Sequence, residues 1–349
     1  MLWLSPLIAA GLTMATACIF SAALGMSPFD TLYAFFLAPV DNRYGLGELG
    51  VKAAPLALIA VGLAIGFRSN VWNIGAEGQL TLGAIAGGGL ALYCHESESA
   101  LLLPAMIVAG ALGGMAWAAI PAFLRAHCNS NEILVSLMLN YVAALILSFL
   151  VHGPWRDPEG FSFPESRLIP DAGMLPVILA DTRLHLGSVI AVAAVALAWL
   201  FVQRSFLAYQ MRVAGLAPAA ARYAGFDRKR MIWIGLLVGG GAAGMAGVGE
   251  VAGPLGQLLP SLSPGYGYAA IIVAFVGRLH PLGILLASLL MSLLYLGGET
   301  AQMSLGLPAA VAGVFQGVLL FYLLAADLWV GFRLRLIRGA PTSAPRGAW

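Results

Sequence analysis

Long apolar runs make up most of the chain and are separated by short polar stretches. An α-helix needs about 20 consecutive apolar residues to cross a bilayer. Ten runs are candidates for a crossing helix, namely 4–26, 50–69, 71–93, 101–124, 133–152, 186–203, 231–253, 266–278, 281–296 and 305–328. The pattern predicts an all-α, polytopic integral membrane protein with about ten transmembrane helices, some of them short or broken.

Composition supports this interpretation and limits what else the chain contains. Only 10% of the 349 residues are charged and 60% are hydrophobic, whereas soluble domains carry about 25% charged residues. We therefore expect a single transmembrane domain over residues 1–349 and no separate catalytic domain. Within it we expect an outer cap segment at 153–185, a cytoplasmic loop at 204–230 and a short cytoplasmic tail at 329–349. The net charge of +2 is too small to indicate nucleic acid, and membrane lipid is the expected surrounding.

The distribution of basic residues predicts the orientation. If the N-terminus is cytoplasmic, ten crossings place 13 of the 18 Lys and Arg residues on the inner side. Cytoplasmic loops of membrane proteins are enriched in these residues. Both termini are therefore predicted to lie inside.

The first run, 4–26, has two interpretations. Small residues around Ser21–Gly25 are compatible with a signal-peptidase site. However, the run has no basic segment before it and is longer than the roughly 7–15 apolar residues of a signal peptide. A retained transmembrane helix is favoured.

Two polar, glycine-containing stretches interrupt the apolar pattern. Gly253–Gly267 contains three prolines and cannot form a straight helix. Asn73–Gln79 places Glu77 at the start of an apolar run, where a carboxylate is costly in lipid. Irregular backbone persists at membrane depth only where protein or a water-filled cavity satisfies it. Both stretches are therefore candidate linings of a solute pathway, although Gly253–Gly267 could equally be an external loop leading into a short helix.

A polar stripe on one predicted helix extends this pathway hypothesis. Glu132, Ser136 and Asn140 are spaced by four and share one helix face. Such residues more often join helices than contact a solute, and both roles remain open. Likewise, the two tyrosine rings in the set could stack on a solute or anchor a helix at the membrane interface. The candidate pathway residues are Asn73, Glu77, Gln79, Glu132, Ser136, Asn140, Gln257, Tyr266 and Tyr268.

The loop 204–230 carries the signals of a short helix. Pro218 suits a first helical turn, and Gly225 is a natural C-terminal stop after the alanine-rich stretch Ala219–Ala221. Such a helix could lie in the membrane interface or dock a cytoplasmic partner.

No motif indicates chemistry performed by this chain. The five histidines are dispersed and Cys18, Cys94 and Cys128 lack ligand spacing, so we predict no metal site. A G-x-S-x-G motif is absent, and we predict no catalytic residue. Neither Lys52 nor Lys229 lies in a P-loop. A transporter driven by ATP would therefore depend on a partner ATPase, and we expect no cofactor on this chain.

Five blocks of sequence resemble the permease subunits of bacterial ABC importers for nucleosides and simple sugars, in the branched-chain and ribose-type permease superfamily. They occur in order between about residues 50 and 328, as Asn73–Gln79 (NIGAEGQ), Asn131–Ala143 (NEILVSLMLNYVA), Gly153–Ser166 (GPWRDPEGFSFPES), Gly215–Gly225 (GLAPAAARYAG) and Ser263–Gly283 (SPGYGYAAIIVAFVGRLHPLG). The chain is most similar to the larger of the two permeases in nucleoside-type systems. It departs from the family at Ala217, where Asn is frequent, and in its short N-terminus without a basic tail.

The resemblance implies a set of partners and a coupling helix. A second permease would form a heterodimer around the solute pathway, a cytoplasmic ABC ATPase would bind the ATP, and an extracytoplasmic solute-binding protein would deliver the solute. The coupling segment Gly215–Gly225 would sit in a groove of the ATPase. Its assigned residues are Gly215, Leu216, Pro218, Ala221, Tyr223 and Gly225. The implied location is the plasma membrane, which is the inner membrane of a Gram-negative cell.

The predicted function is ATP-driven import of a nucleoside-like or simple-sugar solute by alternating access, without chemistry on the solute. An ion-coupled secondary transporter, with Glu77 or Glu250 as its proton site, is the alternative from another class. An intramembrane enzyme is disfavoured because no catalytic constellation is present.

Overall fold

The fold is helical throughout the part of the chain that the structure describes. The computed structural model describes residues 4–23, 25, 27–161 and 163–306, together with ten scattered positions between 308 and 326. Two isolated β-bridges occur among these residues, and no strand. The helices are α1 (Leu4–Ala23), α2 (Pro28–Leu32), α3 (Arg43–Phe67), α4 (Ala76–Tyr93), α5 (Leu102–Cys128), α6 (Glu132–His152), α7 (Leu186–Arg204), α8 (Phe206–Leu216), α9 (Pro218–Tyr223), α10 (Arg228–Glu250), α11 (Tyr266–Val276) and α12 (Pro281–Leu305).

Six helices within the described part of the chain are long and apolar enough to cross a membrane. They are α3, α5, α6, α7, α10 with its π-helical extension, and α12. The all-helical membrane architecture is thus confirmed, whereas the predicted number of about ten crossings is not. α11 has 11 residues and measures about 16 Å, roughly half the 30 Å hydrocarbon core. The predicted tail 329–349 and half of the predicted run 305–328 lie outside the described residues.

Residues 28–40, for which no element was predicted, are helical. α2 is followed by a π-helix at Tyr33–Leu37 and a 3₁₀-helix at Ala38–Val40. The Ser27 hydroxyl caps α2, which has proline in its first turn. Ser followed by Pro is a helix-start signal. However, α2 is far shorter than a membrane-crossing helix, so a search for long apolar runs does not find it.

The centre of the bundle is formed by α3, α4, α5 and α10. α10 packs against the other three, and the spans of α3 and α10 are 83% and 72% buried. Glycines bring the backbones into contact, since a Cβ on Gly244 of α10 would lie 2.1 Å from the carbonyl oxygen of Gly110 on α5. Small residues are enriched at such interfaces in membranes. By contrast, the spans of α6 and α7 are only 22% and 17% buried, so their apolar faces are left for lipid or another subunit.

α10 does not continue straight into the next helix. It passes at Val251–Leu255 into a π-helix that contains Pro254, and the chain turns at Gly256, where φ is +70°. An irregular stretch then leads to α11. The prediction that no straight helix passes through Gly253–Gly267 is confirmed.

The outer cap, 153–185, supplies hydrogen bonds to this interrupted backbone. The Leu175 N–H donates to the Ala252 carbonyl at 2.7 Å, and the Ile169 N–H donates to the Gly256 carbonyl at 2.8 Å. Backbone groups of the outer cap therefore provide hydrogen-bond partners for the carbonyls where α10 ends.

The ion pairs lie at the two ends of the bundle. α7 separates the outer cap from the loop 204–230 by 19 residues, or about 28 Å. Arg125–Glu132 is at the end of the 204–230 loop, and Lys52–Glu299 and Arg183–Glu48 are at the end of the outer cap. Paired charges are therefore separated by the apolar length of the bundle, as a membrane-spanning protein requires.

The predicted orientation can be tested with single cysteines. Glu159 in the outer cap and Ala219 in α9 are both exposed, so Glu159→Cys and Ala219→Cys in a chain without its three native cysteines should both be reactive in lysed cells. In intact cells, an impermeant maleimide should label Glu159→Cys alone. Labelling of Ala219→Cys from outside would contradict the predicted orientation.

Candidate functional site

Two helix starts meet inside the bundle and define the candidate site. α4 begins at Ala76 opposite the middle of α6, because the Gly78 N–H donates to Asn140 Oδ1 at 2.9 Å. Asn140 lies eight residues after the start of α6, which is about 12 Å along the helix. α11 begins beside the same place, since its Gly267 N–H donates to Glu77 Oε2 at 2.6 Å. Both helix starts therefore lie well away from the ends of the bundle.

Glu77 caps the first turn of α11. Its carboxylate receives the Gly267 N–H, and the Ser263 side chain also interacts with it. The Ser263 hydroxyl in turn accepts from the Tyr266 N–H at 3.0 Å. A helix N-terminus carries unpaired N–H groups and a partial positive charge. A carboxylate from α4 therefore stabilises the start of α11 within the bundle.

Asn73 and Gln79 hold the irregular segment before α4. Asn73 Nδ2 donates to Gln79 Oε1 at 2.8 Å, and Gln79 Nε2 donates to Asn73 Oδ1 at 3.0 Å. The same Asn73 oxygen accepts from the Gly75 N–H at 3.0 Å. Both side chains are 1% exposed, so this reciprocal amide pair is a buried link between the loop and α4.

Asn140 joins α6 to both helix starts. Besides accepting from Gly78, its Nδ2 donates to the Ile74 carbonyl and to the Tyr268 hydroxyl, each at 3.0 Å. Tyr268 is 39% exposed, so its ring extends from the cluster toward the surface. We call the group Asn73, Glu77, Gln79, Asn140 and Tyr268 the junction cluster.

The other predicted pathway residues occupy different places. Ser136 is buried one turn from Asn140, and its hydroxyl donates to the Ile133 carbonyl of its own helix. Tyr266 is 4% exposed and meets the Tyr295 ring edge to face. Gln257 lies under the outer cap, where Nε2 donates to Glu165 Oε2 at 2.9 Å. The set therefore extends over more than one site.

Glu132 lies at the end of the bundle that carries the 204–230 loop. It pairs with Arg125 at 3.0 Å, and both residues line a cavity of about 240 Å³ together with Pro218 and Ala221 of α9. Glu132 shares a helix face with Asn140, as predicted. The two residues are two helical turns apart, however, and have different neighbours. Arg125 was not identified from the sequence, because its pairing depends on the turn between α5 and α6.

The predicted coupling segment folds as the end of α8, a break at Ala217 and the helix α9. Pro218 is in the first turn of α9, and Gly225 has φ +76°. The N–H groups of Gly225 and Phe226 donate to the carbonyls of Arg222 and Ala221 at 3.0 and 2.9 Å, which is the Schellman pattern. The predicted start and stop are confirmed. α8 was not predicted, although Ser205 caps it with a hydroxyl that accepts from the Leu207 N–H.

The coupling segment has a buried and an exposed side. Ala221 is 4% exposed, whereas Leu216 and Tyr223 are 77% and 98% exposed. At Gly215 the backbone of α8 comes so close to the carbonyl of Arg68 that a side chain would not fit. The exposed Phe206 and Tyr209 rings stack on each other, and both meet the edge of Phe226. The exposed groups of α8 and α9 are therefore largely apolar and aromatic.

Glu250, the other residue considered as a proton site, lies under the outer cap. It lines a cavity of about 30 Å³ together with His185, which is enough for a single water. His185 Nδ1 accepts from the Gly187 N–H at 3.2 Å. Burial and the positive charge of Arg183 lower the pKa of His185, which favours the neutral form of this imidazole beside Glu250.

Comparison with known proteins identifies related permeases. Residues 46–324 match the family described as branched-chain amino acid transport system / permease component. The glucose ABC transporter permease protein TsgB13 of Haloferax volcanii is 33% identical, with 99% of this chain and 95% of the relative covered. The nucleoside permease NupB of Lactococcus lactis is 26% identical (92% and 90% covered) and the guanosine permease NupP of Bacillus subtilis 27% identical (96% and 95% covered).

Each of these three organisms has a second matching permease. It is named for guanosine in Bacillus subtilis, for nucleosides in Lactococcus lactis and, putatively, for glucose in Haloferax volcanii. No solved structure matches the chain.

The junction cluster predicts an ordered effect of two substitutions on stability. Asn140→Ala removes the partners of the Gly78 N–H and the Ile74 carbonyl, and an unsatisfied buried group costs about 1–3 kcal/mol. Tyr268→Phe removes only a hydroxyl, and about 1 kcal/mol is expected. Unfolding in detergent micelles should show the larger loss for Asn140→Ala. Equal stability of the two variants would mean that Asn140 does not hold the helix starts.

Proposed function

Since the chain belongs to the branched-chain amino acid transport system / permease component family and is a multi-pass plasma-membrane permease subunit of an ABC importer, we propose that its solute is a nucleoside-like compound or a simple sugar. The observation that carries this proposal is the near full-length match to permeases named for glucose, nucleosides and guanosine. As a transport component the chain moves its solute without chemical change.

The partners in this proposal are a second permease, an ABC ATPase and an extracytoplasmic solute-binding protein. Paired permeases in three related systems support a heterodimer. The exposed apolar faces of α6 and α7 leave surface for a second permease or for lipid. The ATPase would bind and hydrolyse the ATP, so this chain would need no cofactor. The solute-binding protein would deliver the solute at the outer cap.

The number of membrane crossings is also part of this proposal. We expect about ten crossings in one transmembrane domain over residues 1–349.

We assign the solute pathway to the surface beside the junction cluster. Tyr268 extends from it with a partly exposed ring, and aromatic rings bind the faces of nucleobases and sugars. The buried Trp117 Nε1 lies beside Gly78 and has no hydrogen-bond partner among the described residues. Irregular backbone between two helix starts is typical of binding sites near the middle of membrane transporters. The remaining predicted pathway residues, including Gln257 and Glu132, stay candidates at the outer and inner entrances.

Coupling to the ATPase is assigned to Gly215–Gly225. Leu216 and Tyr223 are the exposed contacts, while the buried Ala221 and the close approach of Gly215 to Arg68 connect the segment to the bundle. Movement imposed on α9 is therefore transmitted to α3 through packed atoms. The cavity beneath α9 also reaches the Arg125–Glu132 pair, which connects α5 with α6.

Transport in proteoliposomes tests the energy source and the solute. With the partners present, uptake of a labelled nucleoside or sugar should need ATP on the ATPase side, stop with vanadate and persist with a protonophore. Competition by unlabelled nucleosides and sugars then identifies the solute class. Uptake without ATP that collapses with the protonophore would instead support ion coupling through Glu77 or Glu250.

A substitution at Gly225 tests coupling. Gly225→Val places a β-branched residue at φ +76°, which costs on the order of 1 kcal/mol or more. ATPase stimulation and uptake should fall together by roughly fivefold to tenfold, while the solute-loaded receptor still binds. Gly225→Asn is the matched control, because Asn tolerates this conformation, and it should transport nearly normally. Normal transport by Gly225→Val would remove the coupling role from this segment.

A further inference from the structure

A cleft of about 940 Å³ opens at the bundle end that carries the 204–230 loop. Its walls are the ends of α3 and α7, one side of α8, and the turn between α11 and α12. The basic residues that line it are Arg68, Arg204, Arg212, Arg278 and His280. No Asp or Glu is among the described residues that form the walls. The side-chain charges that line the cleft are therefore of one sign.

Helix ends do not neutralise this charge. The C-termini of α3, α7 and α11 lie at the cleft, and each contributes roughly half a negative charge. The guanidinium groups of Arg68, Arg204 and Arg212 alone carry about twice that amount. Arg68 and Arg212 are close enough for their positive charges to act on each other unfavourably. Without an anion, the cleft holds like charges near one another.

The turn that carries two of these residues has a strained backbone. Arg278 and Leu279 are consecutive non-glycine residues in the left-handed region, with φ of 53° and 55°. Arg68 Nη2 donates to the Leu279 carbonyl at 2.6 Å and holds the turn against the end of α3. Left-handed residues of this kind persist where the surrounding structure requires them and are frequent at functional sites. The strain places Arg278 and His280 at the cleft.

Two buried nitrogen atoms at the cleft have no hydrogen-bond partner among the described residues. They are Arg68 Nε and His280 Nδ1. Buried polar atoms without a partner are rare in folded proteins and call for an explanation such as a bound ion or water. They lie on adjoining walls, because Arg68 Nη2 donates to the Leu279 carbonyl beside His280.

We propose that this cleft binds a phosphate group. Arginine forks match phosphate oxygens in geometry and charge, and several of them around one cleft suit a group with two negative charges. The phosphate could belong to a lipid headgroup of the inner leaflet or to a soluble cytoplasmic compound. Val202 and Gln203, at the end of the lipid-accessible α7, line the cleft and offer a route from the bilayer.

An occupied cleft would add a connection between α8 and the turn that follows α11, both of which pack against α3. Arg212 is on α8, next to the coupling segment, while Arg278 ends the half-length helix whose start is capped by Glu77. A bound phosphate would attract both guanidinium groups and stiffen this connection. The inference does not depend on which solute is transported.

Two probes distinguish the sources of phosphate. The full-length chain is placed in phosphatidylcholine nanodiscs and titrated with pyrophosphate at constant ionic strength, with its melting temperature as the readout. In a second arm, nanodiscs containing phosphatidylglycerol are used, and retained lipid is counted by native mass spectrometry. Stabilisation by pyrophosphate supports a soluble phosphate, and retained phosphatidylglycerol supports a headgroup.

Matched variants show whether binding takes place in the cleft. Arg204→Gln with Arg212→Gln should weaken binding by about tenfold or more, because hydrogen bonds to charged groups contribute that much each. Arg230→Gln removes the same charge from the same end but lies outside the cleft, and binding should change less than about twofold. If the double variant does not fold, Arg204→Gln alone replaces it. Absence of binding to both probes, or equal binding by cleft and control variants, would overturn the proposal.

Discussion

Every peptide group within the apolar bundle needs a hydrogen-bond partner, and this requirement determines how the interrupted helices are arranged. α4 and α11 begin inside the bundle, where free N–H groups would otherwise face hydrocarbon. Glu77 and Asn140 supply the missing acceptors from neighbouring helices. Each interrupted helix is therefore completed by another element, and neither start can move without changing the hydrogen bonds of the other. A polar cluster that is costly in lipid becomes the point that aligns α4, α6 and α11.

The same requirement explains the outer cap. Where α10 widens into a π-helix and ends, Leu175 and Ile169 donate backbone hydrogen bonds to its carbonyls. A proline-rich segment without regular structure suits this role, because its remaining N–H groups are free to pair with a neighbouring chain segment instead of its own helix. The cap is thereby part of the folded bundle. Force applied to it by a docked protein would reach the end of α10 directly.

Sequence patterns predicted the uninterrupted helices well and the contacts of the polar residues poorly. The run 186–203 corresponds to Leu186–Arg204, and 133–152 corresponds to Glu132–His152, because an apolar helix is determined by its own residues. Asn140 bonds Gly78 and Tyr268, which are 62 and 128 residues away in sequence, and no local pattern contains such distances. The shared helix face of Glu132 and Asn140 was predicted. Helix periodicity does not show how deep in the bundle a residue lies, so it could not predict that the two residues have different neighbours.

The glycine contacts between α5 and α10 have a thermodynamic consequence. Gly110 and Gly244 have no side-chain torsions, so bringing these helices together freezes almost no rotamers. The contact instead places backbone against backbone, where dispersion and weak Cα–H···O attraction act at short range. Such a contact loses about a quarter to a half of its attraction when the atoms move apart by about 0.5–1 Å. Packing α5 against α10 therefore costs little side-chain entropy, and sliding one helix along the other is opposed by the close backbone contact. A conformational change in the bundle is then most easily accommodated by the large, exposed side chains of α6 and α7.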